Sequence, residues 1–160
     1  MQTKIVEKDV EKVVEISSFQ ISGLQVRTRN ADEADNAKGK IGPLWGQFFA
    51  RNLPETLPAK TGDGKIYGVY SNYESDANGL FDVTAGVAVM AASADLANLS
   101  IAAGRYMMFN CEGEMPAAII EGWGKVWSYF SSDTAHERLY LTDFEEYQGS
   151  QQAAIYIGIK

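Results

Sequence analysis

The chain has one cysteine, Cys111, and one histidine, His136. A lone cysteine cannot close an internal disulfide, so nothing ties the fold to an oxidising compartment. His136 lies in a polar stretch with no cysteine or second histidine beside it, so no metal site is expected. Basic residues are scarce: 14 Lys and Arg stand against 21 Asp and Glu, a formal net charge of -7. This balance disfavours non-specific binding to nucleic acid and tolerates or attracts cations. No apolar run approaches the length of about 18 residues that a membrane span requires. The charged start MQTKIVEKDVEK lacks the apolar centre of a signal peptide. A cytoplasmic protein is the expectation, and no cofactor is expected.

What is present suits one domain. With 46% hydrophobic residues over 160 positions, the chain can bury a real core. Residues 1–12 read as a loosely held lead-in, and residues 13–160 as a single domain.

The pass along the chain gives a recurring order. Val13 to Thr28 alternates as a strand, with Gly23 marking a bulge, bend or short break. Asn30 to Lys40 is polar and reads as a loop. Ile41, Leu44, Trp45, Phe48 and Phe49 recur at helical spacing, with Pro43 in the first turn. Trp45 fits either a core stripe or a ligand platform. Pro54 and Pro58 end this helix and hold LPETLP irregular, and TGDG is a turn. KIYGVYSNY (65–73) and FDVTAGVAVM (81–90) are strands with central glycines, Gly68 and Gly86. Such glycines leave room against a sheet for a packed helix or a ligand.

Leu99 to Phe109 is the next strand, with Gly104 near its centre. Pro116 opens a second helix whose stripe is Ile119, Ile120, Trp123, Val126, Trp127 and Phe130, closed by Ser131, Ser132 and Asp133. LYLTDFEEY (139–147), QGSQQ and AAIYIGI (153–159) form a hairpin signal. Alternation puts Glu145 on one face with Asp143 and Tyr147, and Glu146 on the other with Phe144. Tyr156, in the return strand, is a candidate to sit across from this region. A carboxylate beside aromatic rings suits an organic cation. The plainer alternative is a pair of solvated glutamates on an edge strand.

The order strand, helix, strand, strand therefore occurs twice, over about 13–91 and 98–160. Trp45–Phe48 matches Trp127–Phe130 in spacing, and Gly23 matches Gly104. The predicted fold is α+β: tandem β-α-β-β units, a mainly antiparallel sheet, two principal helices on one face and a central ligand groove between the units.

IGPLWGQFF (41–49), KIYGVYSNYE (65–74), GWGKVWSYF (122–130), DFEEY (143–147) and IYIGI (155–159), in this order, resemble the GyrI-like small-molecule-binding family. It is also described as the effector-binding domain of AraC-type and multidrug-sensing regulators. The resemblance covers Val13 to Lys160. It implies a pocket between the two units, with Glu145 as the pocket carboxylate and Tyr156 as the tyrosine of the last strand. Tyr147, Trp123, Trp127, Tyr70 and Trp45 are the candidate aromatic walls, competing with core roles. The implied ligand is a lipophilic, cationic small molecule. Gly158 stands where the family often has proline, which implies a less rigid strand edge.

Regulators of this family carry a helix-turn-helix domain. Here strand patterning begins by Val13 and no basic recognition helix precedes it. The expectation is a stand-alone module, similar to drug-binding modules on mobile gene cassettes. It would sense or sequester a ligand, without binding DNA directly, and a separate DNA-binding regulator is a candidate partner. Two alternatives stay open. One is a hydrolase acting on strained-ring compounds through Glu145; the other is a protein-binding inhibitor like the gyrase-inhibitory relatives. The residues lean towards a receptor because no second acid, activated nucleophile or oxyanion site can be assigned. Oligomeric state is left open.

Overall fold

A computed structural model describes residues 11–132 and 136–160. The first ten residues of the expected lead-in, and Asp133 at the expected helix end, lie outside them. The first half contains β1 (Lys12–Ile16), β2 (Phe19–Thr28), α1 (Asn30–Glu33), α2 (Ile41–Ala50), α3 (Leu53–Thr56), β3 (Ile66–Ser71) and β4 (Phe81–Val89). The second half contains β5 (Ala97–Ile101), β6 (Gly104–Glu112), α4 (Ala117–Ser131), β7 (Arg138–Gly149) and β8 (Gln152–Ile159). All eight strands join one antiparallel sheet in the order β1-β6-β8-β7-β3-β4-β2-β5. Exchanging each strand for its counterpart in the other half reverses this order without changing it. The pseudo-twofold therefore passes between β3 and β7, where the two β-α-β-β units meet.

The opening strand of each unit is broken, but not at the expected glycine. The first break falls at Ser17–Ser18 and the second at Ala102–Ala103, so Gly104 begins β6 instead of lying mid-strand. Gly23 pairs directly with Gly86 across β2 and β4. A Cβ on Gly23 would lie 1.9 Å from the Ala85 carbonyl oxygen, and one on Gly86 2.4 Å from that of Ser22. The room left by Gly86 is thus taken by a neighbouring strand, not by a helix or ligand.

Leu44 and Phe48 bury one side of α2, while α4 buries Ala118, Ile119, Gly122 and Val126. The expected loop before α2 contains the short α1, and its Glu33 caps α2. The Glu33 carboxylate accepts from Lys40 N at 2.8 Å and Ile41 N at 3.2 Å, where free N–H groups favour negative charge. LPETLP is likewise not irregular. Pro54 sits in the first turn of α3, which tolerates its missing N–H. At the other helix, a Cβ on Gly122 would lie 2.4 Å from Cys111 Sγ, so α4 is seated close on β6.

α2 packs on β2 and β4, and α4 packs on β6 and β8. The helices thus straddle the central β3–β7 pair. On the opposite face, Val14 and Ile16 of β1, Phe19 of β2 and Leu99 of β5 pack against the buried cluster that includes Tyr67, Phe144 and Tyr156, which a coiled sheet allows. The looser edge expected at Gly158 is absent, because β8 is an interior strand between β6 and β7. Gly158 N donates to Asp143 Oδ1 at 2.8 Å, a bond that proline could not make. Among the described residues, no helix is long and apolar enough to cross a membrane.

Candidate functional site

Between α2 and α4, over the β3–β7 pair, lies a groove of about 750 Å³. Trp45 and Tyr147 form one wall, meeting edge to face with centroids 5.7 Å apart. Trp123 and Tyr70 form the other, at 5.1 Å. Phe49 and Ile120 are exposed at the rim. Glu145 is the one charged side chain among the described residues that line the groove.

Glu145 is 4% exposed. Its Oε2 accepts from Trp123 Nε1 at 2.7 Å and Tyr70 OH at 2.9 Å, and its Oε1 accepts from Tyr147 OH at 2.7 Å. All three donors are neutral. The adjacent buried carboxylates differ. Asp143 is paired with Arg138 at 2.7 Å and Glu146 with Lys65 at 3.4 Å, whereas Glu145 has no cation within ion-pair distance among the described residues. Burial pushes the Glu145 pKa above the ordinary carboxylate value, against the opposing pull of bonds from Tyr147, Trp123 and Tyr70. Burial and then the nearby Glu145 charge push the Tyr70 and Tyr147 hydroxyls well up, which keeps both as protonated donors.

Gly68, left open between helix and ligand by the sequence, is explained here. It pairs with Glu145 across β3 and β7. A Cβ at Gly68 would lie 2.8 Å from Glu145 Oε1 and 3.0 Å from Trp45 Cζ2. The missing side chain is the space into which the carboxylate and the indole settle. Gly68→Ala is therefore expected to displace both groups and to weaken ligand binding several-fold while net charge stays constant. Titration calorimetry with a small-molecule ligand of the groove checks this, and unchanged affinity would mean that the position of the carboxylate is immaterial.

Five of the seven residues singled out from the sequence converge on the groove: Glu145, Tyr147, Trp123, Tyr70 and Trp45. Two do not. Tyr156 pairs with Phe144, stacks on that ring at 4.6 Å and directs its hydroxyl towards Glu146 Oε1 at 3.4 Å. It lies on the face opposite Glu145. The cause is a β-bulge: Gly149 pairs with Gln152, yet Tyr147 pairs with Ala153, so Gln148 is an extra residue in β7. A one-residue slip turns every partner side chain to the other face. Burial and the Glu146 charge push the Tyr156 hydroxyl up to about 12.

Trp127 is the second departure. It is half-exposed and borders a separate, smaller cavity beyond Trp123. Repeat matching by Trp–Phe spacing is one helical turn out. The buried pair Leu44 and Phe48 in α2 corresponds to Gly122 and Val126 in α4, which equates Trp45 with Trp123. The rim residues Met115, Pro116 and Ile120 also line the groove. Ile120 stood on the apolar stripe, but its rim position depends on how α4 sits.

A doubled β-α-β-β fold with an apolar groove closing over a buried carboxylate defines a small-molecule effector-binding domain. Residues 12–159 match the family Cass2, described as integron-associated effector binding protein, and the chain belongs to that family. It is similar to the integron cassette protein VCH_CASS2 from the mobile metagenome of Vibrio cholerae. The two share 37% identity over 94% of this chain and 95% of that one, with a TM-score of 0.82. The YobU protein of Bacillus subtilis (strain 168), named for transcriptional regulation, is 29% identical over 87% of this chain and 91% of its own length. SAV2435, solved with tetraphenylphosphonium bound, shares the fold at 18% identity and a TM-score of 0.77, over 94% of each chain.

Proposed function

We propose that the groove binds a lipophilic cation and that Glu145 supplies the counter-charge. The observation that carries this reading is a carboxylate buried among three neutral donors, with no cationic partner among the described residues. Withdrawing a carboxylate from water is costly, and a pairing charge offsets that cost. An entering cation offers this pairing, while the rings of Trp45, Tyr147, Trp123 and Tyr70 offer cation–π attraction of about 0.5–2 kcal/mol per good contact. Apolar walls accept many shapes because area burial is non-directional. The expected receptor is thus broad in shape and narrow in charge. The tetraphenylphosphonium complex of SAV2435, on the same fold, supports the reading.

Hydrolysis of a strained ring by the same carboxylate draws no support from the groove. Among the described residues that line it, no second charged acid or base stands opposite Glu145, whose oxygens already accept three bonds.

Tetraphenylphosphonium and tetraphenylborate provide the test, since they share shape and apolar area but differ in charge sign. Calorimetric titration should show the phosphonium binding and the borate binding at least about tenfold more weakly, as expected when a charged interaction is lost. Equal affinities would remove Glu145 from the role given to it.

A further inference from the structure

The three bonds on Glu145 restrict the kind of cation it can serve. An ionised carboxylate offers about four acceptor positions, two on each oxygen. Trp123 Nε1 and Tyr70 OH fill Oε2, at 2.7 and 2.9 Å, and Tyr147 OH occupies Oε1 at 2.7 Å. Oε1 also packs against Gly68, where an added Cβ would lie 2.8 Å from it. With the residue 4% exposed, a ligand N–H would have to displace one of these donors to bond the carboxylate. Among the described residues that line the groove, the other side-chain oxygens are the Tyr70 and Tyr147 hydroxyls and Ser150, which is exposed at the rim.

We propose that the groove selects permanently charged centres that carry no N–H, such as quaternary phosphonium or ammonium, over protonated amines with the same body. This rests on the cation reading of the groove and narrows it. Coulomb attraction depends on distance and needs no free acceptor position. Glu145 therefore draws a quaternary centre while keeping all three of its donors. A protonated primary amine brings three N–H donors. It gives up their bonds to water in an apolar groove and finds the carboxylate occupied. A donor left unpaired in a buried site costs more than a made bond gains. Displacing Trp123, Tyr70 or Tyr147 only transfers that loss, because the displaced group becomes the unpaired donor. These three side chains thus set specificity: they leave the carboxylate its charge and cover its acceptor positions.

The probes are biphenylmethylammonium and its trimethylammonium counterpart, two monocations with one aromatic body. Both are titrated calorimetrically into the full chain, above the raised Glu145 pKa and with the amine protonated. The trimethyl compound should bind at least about tenfold more tightly, as for a buried donor left unpaired. Its methyl groups also add apolar area, and two variants separate the causes. Tyr147→Phe keeps the ring against Trp45 and opens a position on Oε1, where the amine can form a charge-assisted bond. The preference for the trimethyl compound should then fall by about threefold or more. Tyr70→Phe opens Oε2 instead and should act in the same direction, so it decides the matter if the first variant does not fold. A preference that arises from apolar area alone would survive both changes. Equal binding of the two cations to the unaltered chain, or a preference that neither variant lowers, would overturn the proposal. Failure of the groove reading looks different: tetraphenylphosphonium and tetraphenylborate would bind alike, whatever the ratio between the two ammonium compounds.

Discussion

Glu145→Gln is expected to weaken tetraphenylphosphonium binding by about tenfold or more, since hydrogen-bond partners that carry charge contribute roughly 1.5–3 kcal/mol. Glu146→Gln changes net charge equally but acts on the opposite face, among Tyr67, Tyr156 and Lys65. It should leave the affinity nearly unaltered. The glutamine at 145 need not disturb the fold. Its oxygen can accept from Trp123 and Tyr70, and its amide can donate to the Tyr147 hydroxyl, which is able to accept. The comparison therefore isolates charge from shape. Equal losses at the two positions would mean that the cation is drawn by net charge and not by the groove.

The same substitution should stabilise the empty protein at neutral pH. The folded-state pKa of Glu145 is raised by burial above its unfolded value. The native state then binds more protons than the unfolded state between those two values, so this group's contribution falls as pH rises through the folded pKa. Glutamine removes that penalty. The gain in melting temperature over the unaltered chain should be full above the raised pKa and should vanish towards the ordinary carboxylate range, near pH 4. Cation affinity of the unaltered chain should decline on acidification through the same raised pKa, while that of the glutamine variant stays flat. A melting-temperature difference that grows on acidification would contradict the assigned direction.

The second large effect is on stability. Asp143→Ala is expected to cost about 3–5 kcal/mol, because it leaves the buried Arg138 guanidinium without its counter-charge. For a chain of this size that corresponds to a fall in melting temperature of roughly 10 °C. Asp143 also accepts from Tyr73 OH at 2.5 Å and Gly158 N at 2.8 Å, which ties β7 to β8 and to the segment that follows β3. Burial and then the Asp143 charge push the Tyr73 hydroxyl well up, so it remains a donor. Replacing both partners by Arg138→Met with Asp143→Leu should recover part of the loss, since no charge is then stranded. Recovery should stay incomplete, because Tyr73 and Gly158 still lose their acceptor. Thermal denaturation of the single and double variants checks this. A single variant within about 1 kcal/mol of the unaltered chain would place the pair with weak surface bridges.

Residue order alone determined the repeated β-α-β-β pattern, the positions of the two main helices and the opposite facing of Glu145 and Glu146. These are local consequences of backbone period: two for a strand and 3.6 for a helix, whatever the surroundings. The five side chains that reach the groove were legible because Glu145 and Tyr147 alternate on one strand, while Trp45 and Trp123 stand on apolar stripes. Tertiary structure decided what depends on register and seating. The extra residue Gln148 shifts β7 against β8 and moves Tyr156 away from Glu145; an unbulged hairpin from Gly149–Gln152 would have paired them. The apolar stripe of α4 carried both Trp123 and Trp127, and close seating at Gly122 on Cys111 selected Trp123 for the groove. Gly23, Gly68 and Gly86 looked alike in sequence, yet two admit a neighbouring strand and one admits the carboxylate. Which of these a glycine does depends on what the rest of the chain brings against it, and no local pattern carries that information.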